Sequence, residues 1–525
     1  MFRKIGFASL IMMASVFASR VIGLVREMVI ASAGGASGHV DAYQIAFVLP
    51  EILNHVVASG FLSITFIPIF TRYLAAGDEE GGWRAFSLVM TVFGTFLVVM
   101  IAVAEIFAWD LVRLLAPGIT DPVLLGAATH MTRIILPAQF FFFAGGLFMA
   151  VQFARERFAI AALAPLVYNL GIICGGLLLG GRLGMAGFAW GVLGGAFFGN
   201  FALQWIGARR AGLRFTPVFD LGHSDLRTYV RLTLPLMLGL TMLFSTEIFL
   251  KFFGSYLAEG GIAGLNYALR IMFILVALVG QAVGVASFPF MARLVVEDRI
   301  EEMSRLLDTL LRHLALVMPL SALFMVLRRE IVVICYQRGR FDAGAVDLTT
   351  EALGWLMIGA VAFAAQTVVV RGFYAMQNTL LPSVLGTVAV LLSLPLYIIG
   401  LKAGGIAGVA LACSLAAVIQ AVLLYAIWNR RTGSPGGLTV WRTYLKTAMG
   451  SVVLGGLAWG VRQALIVWIE PAGAAGSLVV AAGTGAVFCL LLVVAARRLG
   501  IEGFDAVAGR LRARWVRRAQ PSSQG

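Results

Sequence analysis

Charge is what this 525-residue chain has least of: Asp, Glu, Lys and Arg make up 13% of it, about half the share in a soluble domain. The deficit runs along the whole length, which excludes a water-soluble globular protein. The natural unit is therefore a membrane-spanning helix of roughly 20 residues rather than a soluble domain of roughly 150. Cysteine is also scarce. Cys174, Cys335, Cys413 and Cys489 are the four present, three of them inside apolar runs, and no C-x-x-C occurs. That pattern excludes a disulfide framework or a zinc site, and no metal or cofactor is expected. No G-x-x-x-x-G-K-[ST] string exists, so direct ATP hydrolysis is excluded as an energy source. No loop is long enough to form a separate aqueous domain, which argues against an integral-membrane glycosyltransferase with its loop-borne catalytic carboxylate. The chain is read as a non-enzyme. The net charge of +14 does not indicate nucleic acid, because no basic stretch is interleaved with base-stacking aromatics.

What is abundant is apolar sequence. Hydrophobic residues make up 60% of the chain, and the mean hydropathy is +0.93. Fourteen apolar segments can be marked off, from 6–32 and 41–70 to 444–468 and 474–496. The expected fold is an all-α polytopic membrane protein of about fourteen transmembrane helices. The first run follows Arg3-Lys4 but contains Arg20, Arg26 and Glu27 and lacks a clear cleavage site, so it reads as a retained helix. Loops alternate in basic content. Arg72, Arg84, Arg155, Arg157, Arg209, Arg210, Arg293, Arg299, Arg430 and Arg431 fall on one side, together with the arginine-rich tail. Arg113, Arg182, Lys402 and the cluster Arg328, Arg329, Arg338 and Arg340 fall on the other. The positive-inside rule then places both termini in the cytoplasm.

An internal repeat is visible. Phe66-Ile67-Pro68-Ile69-Phe70-Thr71-Arg72 recurs as Ser287-Phe288-Pro289-Phe290-Met291-Ala292-Arg293. Gly184-Met185-Ala186-Gly187 recurs as Gly405-Ile406-Ala407-Gly408, and Arg209-Arg210 as Arg430-Arg431. All three pairs are 221 positions apart. Six spans fit in each copy, an even number, so the two lobes share one orientation and are related by an axis along the membrane normal. The expected organisation is a first lobe over 1–221, a second over 222–432, two further helices over 433–500 and a basic cytoplasmic tail over 501–525.

Some charges lie where lipid should forbid them. A charge at mid-bilayer costs about 2.5–3.5 kcal/mol on insertion scales and so usually faces a cavity or a partner. Arg20, Arg26 and Glu27 lie in the first span, Asp41, Glu51 and His55 in the second, Glu247 and Lys251 in the seventh, Arg270 in the eighth and Arg371 in the tenth. Spans one, two, seven and eight open the two repeat copies, and such equivalent helices would line a cavity between lobes. Glu247 and Lys251 are four residues apart and are equally well read as neutralising each other on one helix face. Glu27 either pairs with a neighbouring Arg or sits near the interface. Arg20, Arg26 and Arg270 are the candidates for the cavity, with Asp41 close enough to orient one of them. Guanidinium stays charged and binds phosphate bidentately, so the cavity suits a molecule with an anionic, pyrophosphate-like head and a greasy tail.

The string Ser19-Arg20-Val21-Ile22-Gly23-Leu24-Val25-Arg26-Glu27 resembles the N-terminal signature of the MurJ/MviN family. Asp41-Ala42-Tyr43, Pro50, Gly60 to Pro68 and Tyr73 continue the resemblance in order, followed by Ala116-Pro117-Gly118, Arg157-Phe158, Pro165, Asn169, Arg338-Gly339-Arg340-Phe341, Gly372-Phe373-Tyr374 and Pro382. The resemblance covers nearly the whole chain. It implies a fourteen-helix flippase of the multidrug/oligosaccharidyl-lipid/polysaccharide exporter superfamily. Such a protein moves lipid II, the undecaprenyl-pyrophosphate-linked peptidoglycan precursor, from the cytoplasmic to the periplasmic leaflet of the bacterial inner membrane. It further implies lobes that alternate access, a groove for the lipid tail formed by the last two helices, and central-cavity positions at Arg20, Arg26, Asp41 and Arg270. Where the family commonly has a basic pair this chain has Asn54-His55, where it has Glu this chain has Ser59, and Leu269 and Phe273 replace the usual acidic neighbours of Arg270. With Lys251 and Glu247 as partial compensation, Asn54, His55 and Lys251 join the candidate substrate contacts. These departures keep open a second reading, a flippase for another undecaprenyl-linked saccharide in exopolysaccharide assembly. A cation/drug antiporter of the same superfamily would need acidic sites in the lobes, and the excess of intramembrane Arg argues against it. The expected partners are the lipid-linked glycan pyrophosphate and membrane lipids, with cell-wall synthesis proteins as candidates, around a monomer.

Overall fold

A computed structural model describes residues 2–55, 61–378, 380–433, 436–469 and 473–499; the basic tail over 501–525 and Ser59 lie outside them. Every regular element among the described residues is helical. Among the described residues, ten helical stretches are long and apolar enough to cross a bilayer, including Glu79–Ile106, Pro122–Ala154, Gly437–Ile469 and the 53-residue Leu380–Thr432. Their outer faces carry bare hydrocarbon: Leu178 is 79% exposed, Val452 75% and Trp468 87%. Apolar surface on this scale is stable only against lipid. The protein is an all-α polytopic membrane protein.

The chain divides into two compact units, Met1–Gly264 with Arg338–Ala345, and Leu265–Gln337 with Val346–Gly525. In the first, Phe66, Phe70, Trp83, Phe86 and Phe148 interlock edge-to-face and stacked in the centre of a buried apolar cluster. In the second, Trp428 is fully buried, packs edge-on against Phe373 and donates its indole N–H to Ser304 Oγ at 3.2 Å.

The repeat seen in the sequence extends into the backbone. The helices Phe61–Ala75 and Ala282–Val296 carry Pro68 and Pro289 at equivalent points. Left-handed residues come in register as well: Gly77 with Asp298, Glu156 with Gln377, Gly184 with Gly405 and Gly212 with Gly433, each pair 221 positions apart. Gly184 has φ 58° and ψ −134°, and Gly405 has φ 50° and ψ −124°. Only glycine enters that region without strain, so each marks a sharp reversal between two apolar limbs. The symmetry fails at the ends of the proline-bearing helices. Arg72 reaches across to the buried Asp225 carboxylate at 2.7 Å, and Tyr73 donates its hydroxyl to the same group at 2.7 Å. Its counterpart Arg293 makes only a local bond to Glu297 at 2.7 Å. That bond and a second one from Arg299 hold the Glu297 carboxyl below the usual carboxylate range.

Candidate functional site

In the first unit the helix Phe2–Gly34 presents its charges on two faces, because six residues turn a helix by roughly 240°. Arg20 is exposed. Arg26 is half-buried and tied down: Nη2 donates to Glu27 Oε1 at 2.5 Å and Nη1 to Asn169 Oδ1 at 3.0 Å. Asn169 in turn donates to the Pro165 carbonyl at 2.9 Å and reaches Ser19 Oγ at 3.4 Å. Of the two readings of Glu27, the Arg pair holds. The buried Nε of Arg26 has no hydrogen-bond partner, so the guanidinium is oriented but not saturated.

Asp41 has a different job from the one expected. Its carboxylate does not orient an arginine; it accepts the N–H of Gly260 and of Ala263, both at 2.7 Å. It therefore satisfies the open N–H groups at the start of the helix Gly261–Val276, nine residues ahead of Arg270. A carboxylate in a dry site takes such ready-made donors in preference to a longer reach. The turn depends on Gly260, whose φ is +86° and where an added Cβ would lie 2.3 Å from the Ala36 carbonyl oxygen. Asp41→Ala is expected to lower stability by about 2 kcal/mol through loss of the cap, with Asp41→Asn in between. Thermal unfolding of the purified protein measures this, and an unchanged midpoint would remove the capping role.

Lys251 is turned away from the i,i+4 reading. Its ammonium, 6% exposed, meets Glu51 Oε2 at 3.3 Å, 200 residues away in sequence. Glu51 lies on the short helix Val48–Leu53, and Asn54 and His55 follow it in a π-type turn. Both are half-buried, and the Asn54 Oδ1 is a buried acceptor with no hydrogen-bond partner. Lys251→Met removes the ammonium from the Glu51 carboxylate and should cost about 1–3 kcal/mol. The yield of folded protein should drop and should recover in the Lys251→Met, Glu51→Gln double variant. A double variant no better than the single one would show that the pair is not what matters.

The Arg338-Gly339-Arg340-Phe341 string also acquires a place. Gly339 has φ +59°, and a Cβ there would lie 2.4 Å from the Ser32 carbonyl oxygen. The Arg340 N–H donates to that same oxygen at 2.8 Å, and Phe341 is buried. The string docks on the end of the first helix and leaves both arginine side chains exposed.

Arg270 lies in the second unit, half-buried on the helix Gly261–Val276. The same unit holds a second cation within an apolar helix that the sequence did not single out for the cavity. Arg371, on the helix Ala360–Ala375, has a buried Nη1 without a hydrogen-bond partner. An added Cβ on Gly284 would come within 2.8 Å of that nitrogen, so glycine makes room for the guanidinium. Charge within an apolar run was the available signal, but only packing shows that Arg371 has no carboxylate beside it among the described residues. A separate apolar cavity of about 380 Å³ lies between helices of this unit, lined by Met318, Val369, Val422, Tyr425, Trp441 and Leu445 among others. Trp441 and Leu445 belong to the helix Gly437–Ile469.

A family model described as lipid II flippase MurJ matches residues 30–480. The chain belongs to that family. A lipid II flippase MurJ of Burkholderia cenocepacia is 28% identical over 451 residues, covering 84% of this chain and 86% of the relative. A probable lipid II flippase MurJ of Buchnera aphidicola subsp. Baizongia pistaciae is 26% identical over 413 residues, 78% and 80% of the two chains. Among solved structures, a lipid II flippase MurJ in an inward closed conformation aligns with a TM-score of 0.75 at 20% identity, over 93% of this chain and 99% of that one. An inward-facing multidrug resistance MATE family transporter aligns with a TM-score of 0.65 at 15% identity, over 79% and 94%. At these identities the structural likenesses establish the fold, and the sequence match establishes the MurJ family.

Proposed function

We propose that this protein moves lipid II from the cytoplasmic to the periplasmic leaflet of the bacterial inner membrane by alternating access of its two repeat lobes, over 1–221 and 222–432, with both termini in the cytoplasm. One observation carries the reading within a chain of the MurJ family: guanidinium groups sit inside apolar helices while an apolar cavity of about 380 Å³ flanks the helix Gly437–Ile469. An amphiphile with a pyrophosphate head and a polyprenyl tail needs both. Arg26 is held by Glu27 and Asn169 with Nε to spare, and Arg371 has no carboxylate partner among the described residues. The spare Nε of Arg26 and the uncommitted guanidinium of Arg371 suit an anion that arrives and departs. In this reading Arg20, Arg26 and Arg270 act on the pyrophosphate, Asn54, His55 and the Glu51–Lys251 pair border its path, and Asp41 acts through the helix it caps. No covalent step is required.

The test is replacement of the resident flippase in a bacterium depleted of it. Rescue of growth, with lipid II becoming accessible on the periplasmic face, supports the reading. Failure to rescue despite normal membrane abundance, together with export of another undecaprenyl-linked saccharide, would instead favour exopolysaccharide assembly, to which the Asn54-His55 pair, in place of the family's basic pair, points. Arg371→Gln is expected to slow lipid II exposure by about tenfold, the loss of one charge-assisted hydrogen bond, without loss of protein. Wild-type rates would remove Arg371 from the path.

A further inference from the structure

We propose that the second unit binds the headgroup of a zwitterionic membrane phospholipid, with its phosphate on Arg328 and its ammonium on Glu351. The site is a pair of cavities, of about 370 and 430 Å³, that share Met325, Arg328 and Thr350. They lie where the apolar helix Val317–Val326 gives way to the helix Arg328–Tyr336, beside the helices Ala343–Leu356 and Gly437–Ile469. The distribution of basic loops assigns this end to the periplasmic face.

Three arginines line the two cavities, and two of them are already neutralised. Arg462 donates Nε and Nη2 to the buried Glu330 at 2.9 and 2.7 Å. Arg329 pairs with Asp347. Arg328 makes no ion pair or hydrogen bond among the described residues, although Asp347 and Glu351 line the same cavity. Its exposed side chain lies along this helix: an added Cβ on Gly354 would come within 3.1 Å of Nη1 and 3.2 Å of Cδ, so glycine gives the guanidinium room there. Thr350, one helical turn earlier, carries a hydroxyl with no hydrogen-bond partner. Glu351 is exposed and likewise uncommitted.

One cavity thus presents a cation and an anion that are not joined to each other. That is the complement of a zwitterion, whereas an anionic head alone would leave Glu351 facing it with like charge. Guanidinium suits a phosphodiester because its donors are preset for two oxygens. The half-exposed Trp355 borders the carboxylate's cavity and Trp459 the adjoining one. An indole face adds cation–π attraction for an ammonium. The acyl chains would run down the exposed apolar flank of the helix Gly437–Ile469. This site is separate from the flipping reading and does not depend on it.

Native mass spectrometry of the full-length protein, titrated with phosphatidylethanolamine or phosphatidylglycerol of identical acyl chains, tests the proposal. Phosphatidylethanolamine should be retained preferentially, and Arg328→Gln should weaken its retention about tenfold, the loss of one charge-assisted hydrogen bond. Glu351→Gln, at an exposed position that leaves folding intact, should remove the preference over phosphatidylglycerol while leaving phosphate binding. Equal retention of the two lipids by the wild type, or an unchanged preference in Glu351→Gln, would overturn the proposal even if Arg328→Gln failed to fold. Displacement of the phospholipid by undecaprenyl pyrophosphate at equal concentration would overturn it too, by assigning the cavities to the transported lipid.

Discussion

Arg270→Ala should abolish measurable exposure of lipid II at the periplasmic face, while Arg270→Lys retains a fraction of it. A guanidinium offers a pyrophosphate two parallel charge-assisted hydrogen bonds, each worth roughly 1.5–3 kcal/mol. Losing both lowers the rate by at least about a hundredfold. Lysine keeps the charge as a point without the fork, which predicts the order wild type, Lys, Ala. Membrane abundance should stay level across the series, since an Arg in an apolar helix is itself costly and its removal does not hinder insertion. Leaflet accessibility of the precursor in cells dependent on each variant, with abundance measured in parallel, decides the matter. Full activity of Arg270→Ala at normal abundance would exclude a required role. A collapse in abundance would mean that the residue belongs to a structural ion pair.

The largest stability effect is expected at Gly408. The reversal at Gly405 folds the chain back so closely that a Cβ on Gly408 would lie 1.8 Å from the Gly400 carbonyl oxygen and 2.4 Å from its carbon. Both contacts are backbone, so no side chain can move aside. Gly408→Val must prise apart two limbs of the stretch Leu380–Thr432, at a cost beyond about 4–5 kcal/mol, the range reserved for changes a fold cannot absorb. No folded protein should be recovered from membranes. Gly404→Ala, four residues away, is the control. An added Cβ there meets nothing within 4 Å, so the yield should match the wild type. The equivalent approach in the first unit, Gly187 against the Gly180 nitrogen at 2.8 Å, is looser, and Gly187→Val should be the milder lesion. Size-exclusion profiles of the three variants test the ranking, which fails if Gly408→Val elutes as wild type.

The sequence alone made the membrane architecture legible, because hydrocarbon imposes its demand on every residue of a spanning helix and so writes it into composition. It also revealed the repeat, since glycine at a left-handed turn and proline inside a helix are requirements of the local backbone. Gly184 and Gly405, with Pro68 and Pro289, can be found by spacing alone. The charged positions Arg20, Arg26, Asp41, Lys251 and Arg270 stood out as well, because lipid makes any charge conspicuous. Their partners did not stand out. Asp41 reads as a cavity carboxylate until the loop that ends at Gly260 delivers two N–H groups to it. Lys251 reads as the partner of Glu247 until Glu51 is found 3.3 Å away. Arg328 looks like one more basic residue in a loop until Gly354 and the pairing of its neighbours leave it uncommitted. Hydrophobic burial and backbone conformation are properties of a residue and its near neighbours, so a linear sequence records them. Between Glu51 and Lys251 charge pairing acts across 200 residues, and only the folded chain determines which side chains meet.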